Sequence, residues 1–169
     1  MSRISSIVEL SLQGAQFSPG FIDSLNHMKG IDILHYEACA QPASALLRYK
    51  YLKRLHFLDI TRSEGVSELL KRYPAGNDLQ ELNASYDHLS DSDLLYISRL
   101  TKLTKLKISG NSGITTKGIL QLASLPLLRT LEILDMKTDP SLPGRVKSWQ
   151  SLKTLLLESA DWSEQETSR

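Results

Sequence analysis

His35, Glu37, His56 and Asp59 bring two imidazoles and two carboxylates into a short stretch of chain. These are ligand types that suit a transition metal. No ligand-spacing motif accompanies them, as a zinc site would require. Two solvent-facing histidines on adjoining segments account for the same residues without an ion. Cys39 is the only cysteine, so no internal disulfide can form. It has no obvious activating His and Asp, and a buried thiol is inert. Ser109-Gly110-Asn111-Ser112-Gly113 contains glycine but lacks the G-x-x-x-x-G-K pattern of a phosphate loop. The sequence therefore implies no cofactor and no catalytic site, and a metal-dependent enzyme is a remote alternative.

The other reactive side chains suit recognition. Arg54, His56, Glu81, Asn83, Tyr86, Lys105 and Lys107 are spread over about fifty residues, and Leu134 and Leu156 add apolar surface. They matter together only if the fold gathers them, and a repeat indicates that it does. Leu10, Leu34, Leu55, Leu82, Leu106, Leu131 and Leu155 each take the fourth place of an L-x-x-L-x-L segment. Their spacings are 24, 21, 27, 24, 25 and 24 residues. The first places hold Ile7, Ile31, Leu52, Leu79, Leu103, Leu128 and Leu152; the sixth hold Leu12, Tyr36, Phe57, Ala84, Ile108, Ile133 and Leu157. Apolar fourth and sixth places among polar neighbours have the period of a half-buried strand. The next strand lies too far on for a hairpin and suits a parallel crossover.

The connecting segments read as helices. Ser18-Pro19 offers a cap and a first-turn proline before Phe21, Ile22, Leu25 and Met28. Thr61-Arg62-Ser63-Glu64 has the form of a capping box before Val66, Leu69 and Leu70. Ser90 to Asp93 precedes Leu94, Leu95 and Ile97; Thr115-Thr116 precedes Ile119, Leu120 and Leu122. Shorter helical turns are expected over 43–48 and 142–149.

Stretches such as "LTKLKISGN", "LRTLEILDM", "LQELNASYD" and "IDILHYEAC" resemble the leucine-rich repeat family over roughly residues 4 to 160. "LSDSDLLYISRLTKLTKLKI" is similar to its ribonuclease-inhibitor-like or cysteine-containing subclasses. The resemblance implies a right-handed α/β solenoid of about seven repeats, with a parallel sheet on the concave face and helices on the convex face. The family's ninth-place Asn or Cys occurs only as Asn111 and Cys39; Ala15, Ile60, Asp87, Met136 and Ala160 hold the other places. Most turns must then satisfy their backbone groups by other means.

Places two, three, five and seven of each segment should face the concave side. With strands ~4.8 Å apart, six gaps span roughly 29 Å. That suits a protein partner better than a small molecule. The expected partner-binding surface is Arg54, His56, Glu81, Asn83, Tyr86, Lys105 and Lys107, with Leu134 and Leu156 as a second, apolar patch. Tyr and Arg are enriched among interface hot spots. A solvated face whose charges keep the sheet soluble accounts for the same residues equally well. For the apolar patch, cover by Trp162 or the tail is the alternative.

The chain has 169 residues, 41% of them hydrophobic, with a net charge of +1. This is enough for one domain, 1–162, with a polar tail over 163–169. The near-neutral charge and the lack of an aromatic platform argue against nucleic acid. No apolar run approaches a membrane span. MSRISSIVELSL is interrupted by Glu9 and serines and has no signal-peptide core. If Met1 is the native start, a cytoplasmic location is expected. The expected role is a protein-binding scaffold: an adaptor, inhibitor or recognition subunit. A bacterial effector, a toxin-neutralising protein and a self-assembling solenoid are the alternatives. A monomer is expected, with pairing through the last strand's edge as the other outcome.

Overall fold

The computed structural model describes residues 7–18 and 20–158. Seven short strands form one parallel sheet in chain order: β1 (Glu9–Ser11), β2 (Ile33–His35), β3 (Phe57–Asp59), β4 (Glu81–Asn83), β5 (Lys105–Lys107), β6 (Thr130–Ile133) and β7 (Thr154–Leu157). Helices or helical turns connect them: α1 (Phe21–Leu25), a 3-10 turn over Ala43–Arg48, α2 (Val66–Arg72), α3 (Asp91–Ile97), α4 (Thr116–Gln121) and α5 (Leu142–Val146). Trp162 and the tail over 163–169 lie outside the described residues, as does Pro19 of the first expected helix start.

The ladder pairs Leu10, Leu34, Leu58, Leu82, Leu106, Leu131 and Leu155. The third member corrects the sequence-based alignment, which put Leu55 there. Leu55 instead takes the first place of its repeat and Ile60 the sixth. The uneven 21 and 27 become 24 and 24. The cause is local degeneracy. Leu52, Leu55 and Leu58 recur every third residue, so either alignment satisfies L-x-x-L. A 3-10 turn over Leu52–Arg54 uses the first of them on the convex side, where Leu52 is buried. Pairing with both neighbouring strands then settles the register.

The core is continuous. Leu34, Leu58, Leu82, Leu106 and Leu131 are at most 1% exposed, and the helices add Ile22, Leu25, Leu69, Leu94, Ile97, Ile119 and Leu142. Each such side chain contributes about 1.5–3 kcal/mol on leaving water. Leu10 and Leu155, on the outermost strands, are only partly buried.

The turn leaving each strand follows one pattern. Its first residue has a left-handed backbone in six consecutive repeats: Gly14, Ala38, Arg62, Tyr86, Gly110 and Asp135, with φ of 61, 50, 55, 61, 68 and 53°. The next residue turns inward. In repeats two to five it is Cys39, Ser63, Asp87 and Asn111, a column of polar rungs. Asn111 receives the N–H of Asp87 and of Leu89, both at 3.0 Å, and donates to the carbonyls of Ala84 at 2.8 Å and Ile108 at 2.9 Å. Ser63 donates to the Tyr36 carbonyl at 2.9 Å. The expected capping box at Thr61–Glu64 is therefore not one. Ser63 is a rung, and α2 starts after Gly65, itself left-handed at φ 70°. A capping box does form at α3, where Asp93 accepts the Ser90 N–H at 2.8 Å.

Candidate functional site

Side chains at the third and fifth places stand on the sheet's inner face and meet their lateral neighbours. Glu81 pairs in register with Lys105, and Asn83 with Lys107, as their alternation predicts. Lys105 lies 3.5 Å from Glu81, and Lys107 lies 3.2 Å from Glu132. Each lysine thus has a carboxylate neighbour, in pairs that stay partly exposed to solvent. A depression of ≈ 130 Å³ opens between Phe57, Asp59, Glu81, Asn83 and the two lysines. It is smaller than pockets that enclose small ligands, typically about 300–1,000 Å³.

The corrected register redistributes the expected residues. Arg54 is not on this face: it ends the 3-10 turn before β3, its guanidinium 5.3 Å from the Tyr51 ring centre. Phe57 holds the place assigned to it. His56 drops to the start of β3, half-exposed and hydrogen-bonded to Asp32. The place assigned to His56 belongs to Asp59, which pairs with His35. Leu58, expected on the inner surface, is core. The two histidines are therefore not equivalent neighbours, and the geometric premise for a shared metal fails. Among the described residues no group of three or more His, Cys, Asp or Glu is placed to hold an ion.

His35 instead belongs to a polar row. Its Nε2 is 3.4 Å from Glu9, its Nδ1 4.0 Å from Asp59, and its ring lies 4.9 Å from that of Phe57. Asp59 accepts from Asn83 at 3.0 Å and from the Thr61 hydroxyl at 2.7 Å. Asn83 in turn accepts from Ser85 at 2.8 Å. Cys39 donates to the Leu12 carbonyl at 2.5 Å. Burial first, and the nearby Glu37 charge, push its thiol up, against the thiolate a nucleophile needs.

A second row crosses the rim where the strands end. Arg62 lies 3.4 Å from Glu37 and stacks its guanidinium 5.0 Å from the centre of the Tyr86 ring. The Tyr86 hydroxyl donates to Asp135, and this bond makes it hold its proton more firmly than an ordinary phenol does. The ring lies flat over Gly110: a Cβ there would overlap Tyr86 Cδ1. Four repeats thus share one exposed strap, Glu37–Arg62–Tyr86–Asp135. Sequence reasoning found Tyr86 and missed Arg62 and Asp135; the even 24-residue period was the available signal for Arg62. Leu134 is half-buried just beyond β6, and Leu156 is 44% exposed on β7. The lateral neighbour of Leu156 is Glu132, so the two leucines are offset along the strands.

Two solved structures share this architecture. Internalin C2 from Listeria monocytogenes aligns with a TM-score of 0.60 at 20% identity, over 89% of this chain and 71% of that one. An internalin of the same species, inlF, aligns with a TM-score of 0.54 at 14% identity, over 89% of this chain and 48% of its own. The fold is a leucine-rich repeat solenoid. The chain thus spans about half the length of the second structure. No protein-family model matches the sequence, and no curated protein matches it. At these identities the solenoid is what is shared, and inner-face side chains belong to each protein separately. Among the described residues no helix is long and apolar enough to cross a membrane.

Proposed function

We propose that this solenoid binds another protein on its inner sheet and acts by occupancy rather than catalysis. The observation that carries this is the strap Glu37–Arg62–Tyr86–Asp135, lying beside Glu81, Asn83, Lys105 and Lys107. Tyr86 is 37% exposed, yet it is held by a cation above, a glycine below and a carboxylate at its tip. A prearranged aromatic costs little entropy to bind, which is the usual quality of an interface anchor. The shallow depression and the sheet's breadth favour a protein over a small molecule. Adaptor, inhibitor and recognition subunit, and equally effector or toxin-neutralising protein, are specific forms of this proposal. A cytoplasmic setting belongs to this proposal too. The helix-bearing fourth and fifth repeats, with α3 and α4, support the ribonuclease-inhibitor-like or cysteine-containing subclass.

A photo-crosslinking residue at Thr130 on the inner face, compared with one at Leu95 on α3, tests the reading in lysate from the native cell. Capture from the inner position alone, reduced at least tenfold by Arg62→Ala with Tyr86→Ala, is the expected result. Capture only from Leu95, or capture indifferent to the double substitution, contradicts it. A second reading, self-assembly through the outer edge of β7, is favoured by the exposure of Leu156 beside partly buried Leu155 and Leu157. Light scattering across a broad concentration range separates the two, since only assembly raises the mass.

A further inference from the structure

Three of the four polar rungs donate to the same backbone position. Cys39 gives its S–H to the Leu12 carbonyl, Ser63 its O–H to Tyr36 and Asn111 its N–H to Ala84, at 2.5, 2.9 and 2.8 Å. Each acceptor lies 27 residues back, at the sixth place of the preceding repeat. The fourth rung is Asp87, whose equivalent acceptor is the Ile60 carbonyl. An ionised carboxylate has no hydrogen to give. Asp87 Oδ1 already accepts the Ser63 N–H at 2.9 Å. Oδ2 is buried without a donor partner, and the residue is 7% exposed. An ionised rung would leave a charged oxygen buried without any donor, among the most unfavourable arrangements in a protein interior.

We propose that Asp87 is a carboxylic acid in the native protein at neutral pH, its Oδ2–H donated to the Ile60 carbonyl, and that alkaline loss of this proton loosens the turns carrying Arg62 and Tyr86. The surroundings all favour the neutral acid. Burial is the largest influence, and the Asp59 charge at the end of β3 adds to it, which pushes the group up to about 8 despite the Ser63 N–H bond and the nearby backbone N–H of Arg62, which itself donates to the Ser85 carbonyl. Arg62 contributes its backbone there, while its guanidinium lies out over Tyr86. The flanking rungs, Ser63 and Asn111, are uncharged. This assignment needs only the solenoid and holds whether or not the inner sheet binds a protein.

The native group keeps a proton that the unfolded chain releases at its ordinary value of 3.8. Stability is therefore full below that value and declines as pH rises through the window up to about 8. The loss in the folding equilibrium is about tenfold per pH unit. Urea unfolding of the wild type and Asp87→Asn from pH 5.5 to 9 isolates this group, because Asn donates to Ile60 without needing a proton. The expected result is an advantage for Asp87→Asn that grows about tenfold per unit and levels off near pH 8. A constant difference across the range overturns the proposal. Carboxyl-carbon NMR of the wild type decides the same question if the variant does not fold. One aspartate titrating near pH 8 supports the assignment, and all aspartates titrating below pH 6 exclude it.

Discussion

The middle and the ends of the solenoid are built from one repeat but are closed to different degrees. Leu58, Leu82 and Leu106 are sealed between two neighbouring repeats, whereas Leu10 and Leu155 are partly exposed. The inward column changes in the same direction: Cys39, Ser63, Asp87 and Asn111 in the middle give way to Ala15 before them and Met136 after. A repeat is completed by its neighbours, as expected where stability is a sum of unit and interface terms. Buried polar rungs are sustainable only where repeats on both sides supply partners.

The sharpest test of this contrast is a pair of truncations. Leu58→Ala is expected to cost about 2–5 kcal/mol, as for a sealed core leucine. Leu155→Ala should cost roughly 1–2, because part of its surface is already wet. Urea midpoints measure both, and equal losses would erase the distinction between middle and end. Leu58→Ala also reads the register, since the Leu55-centred alignment puts Leu58 on the surface and predicts almost no effect. Next in size is Asn111→Ala, which strips partners from two N–H groups and three carbonyls and should cost about 2–4 kcal/mol. A loss below about 1 kcal/mol would mean water replaces the rung and the column is not a stabilising element. The smallest effect compares two glycines. Gly14 and Gly110 share the left-handed backbone, but only Gly110 lies beneath a ring. Gly14→Ala should cost about 1–2 kcal/mol for its backbone alone. Gly110→Ala should cost more, and the excess should vanish in a Tyr86→Ala background.

The leucine column was readable because strand alternation is local. Six of seven members follow from it, and so do Glu81, Asn83, Lys105 and Lys107, whose repeats contain no competing leucine. The third repeat was not readable in this way. Leu52-Leu55-Phe57 fits the pattern as well as Leu55-Leu58-Ile60, and only contact with β2 and β4 separates them. That single shift removed Arg54 from the inner face, moved His56 to the start of β3, brought in Phe57 and Asp59, and placed Arg62 at the rim. Ser63 was hidden for a different reason: Thr61-Arg62-Ser63-Glu64 carries a helix-start signature, and the rung outcompeted it. Arg62 had no local signal at all, because an arginine does not mark a left-handed turn, and Asp135 had only the weak tolerance of aspartate for that backbone.

That turn has an evolutionary consequence. Four of its six occupants are Ala38, Arg62, Tyr86 and Asp135, and only the last is of a type that tolerates this conformation well. The backbone there is imposed by the flanking rungs and strands. Its cost, about 1–2 kcal/mol for an unbranched residue other than Gly, Asn or Asp, is nearly the same whichever such side chain is present. Exchanging one such residue for another leaves that cost almost unchanged while rewriting the outward-facing rim. These positions can drift rapidly without passing through unstable intermediates, so a lineage of such solenoids could acquire new recognition properties one turn at a time.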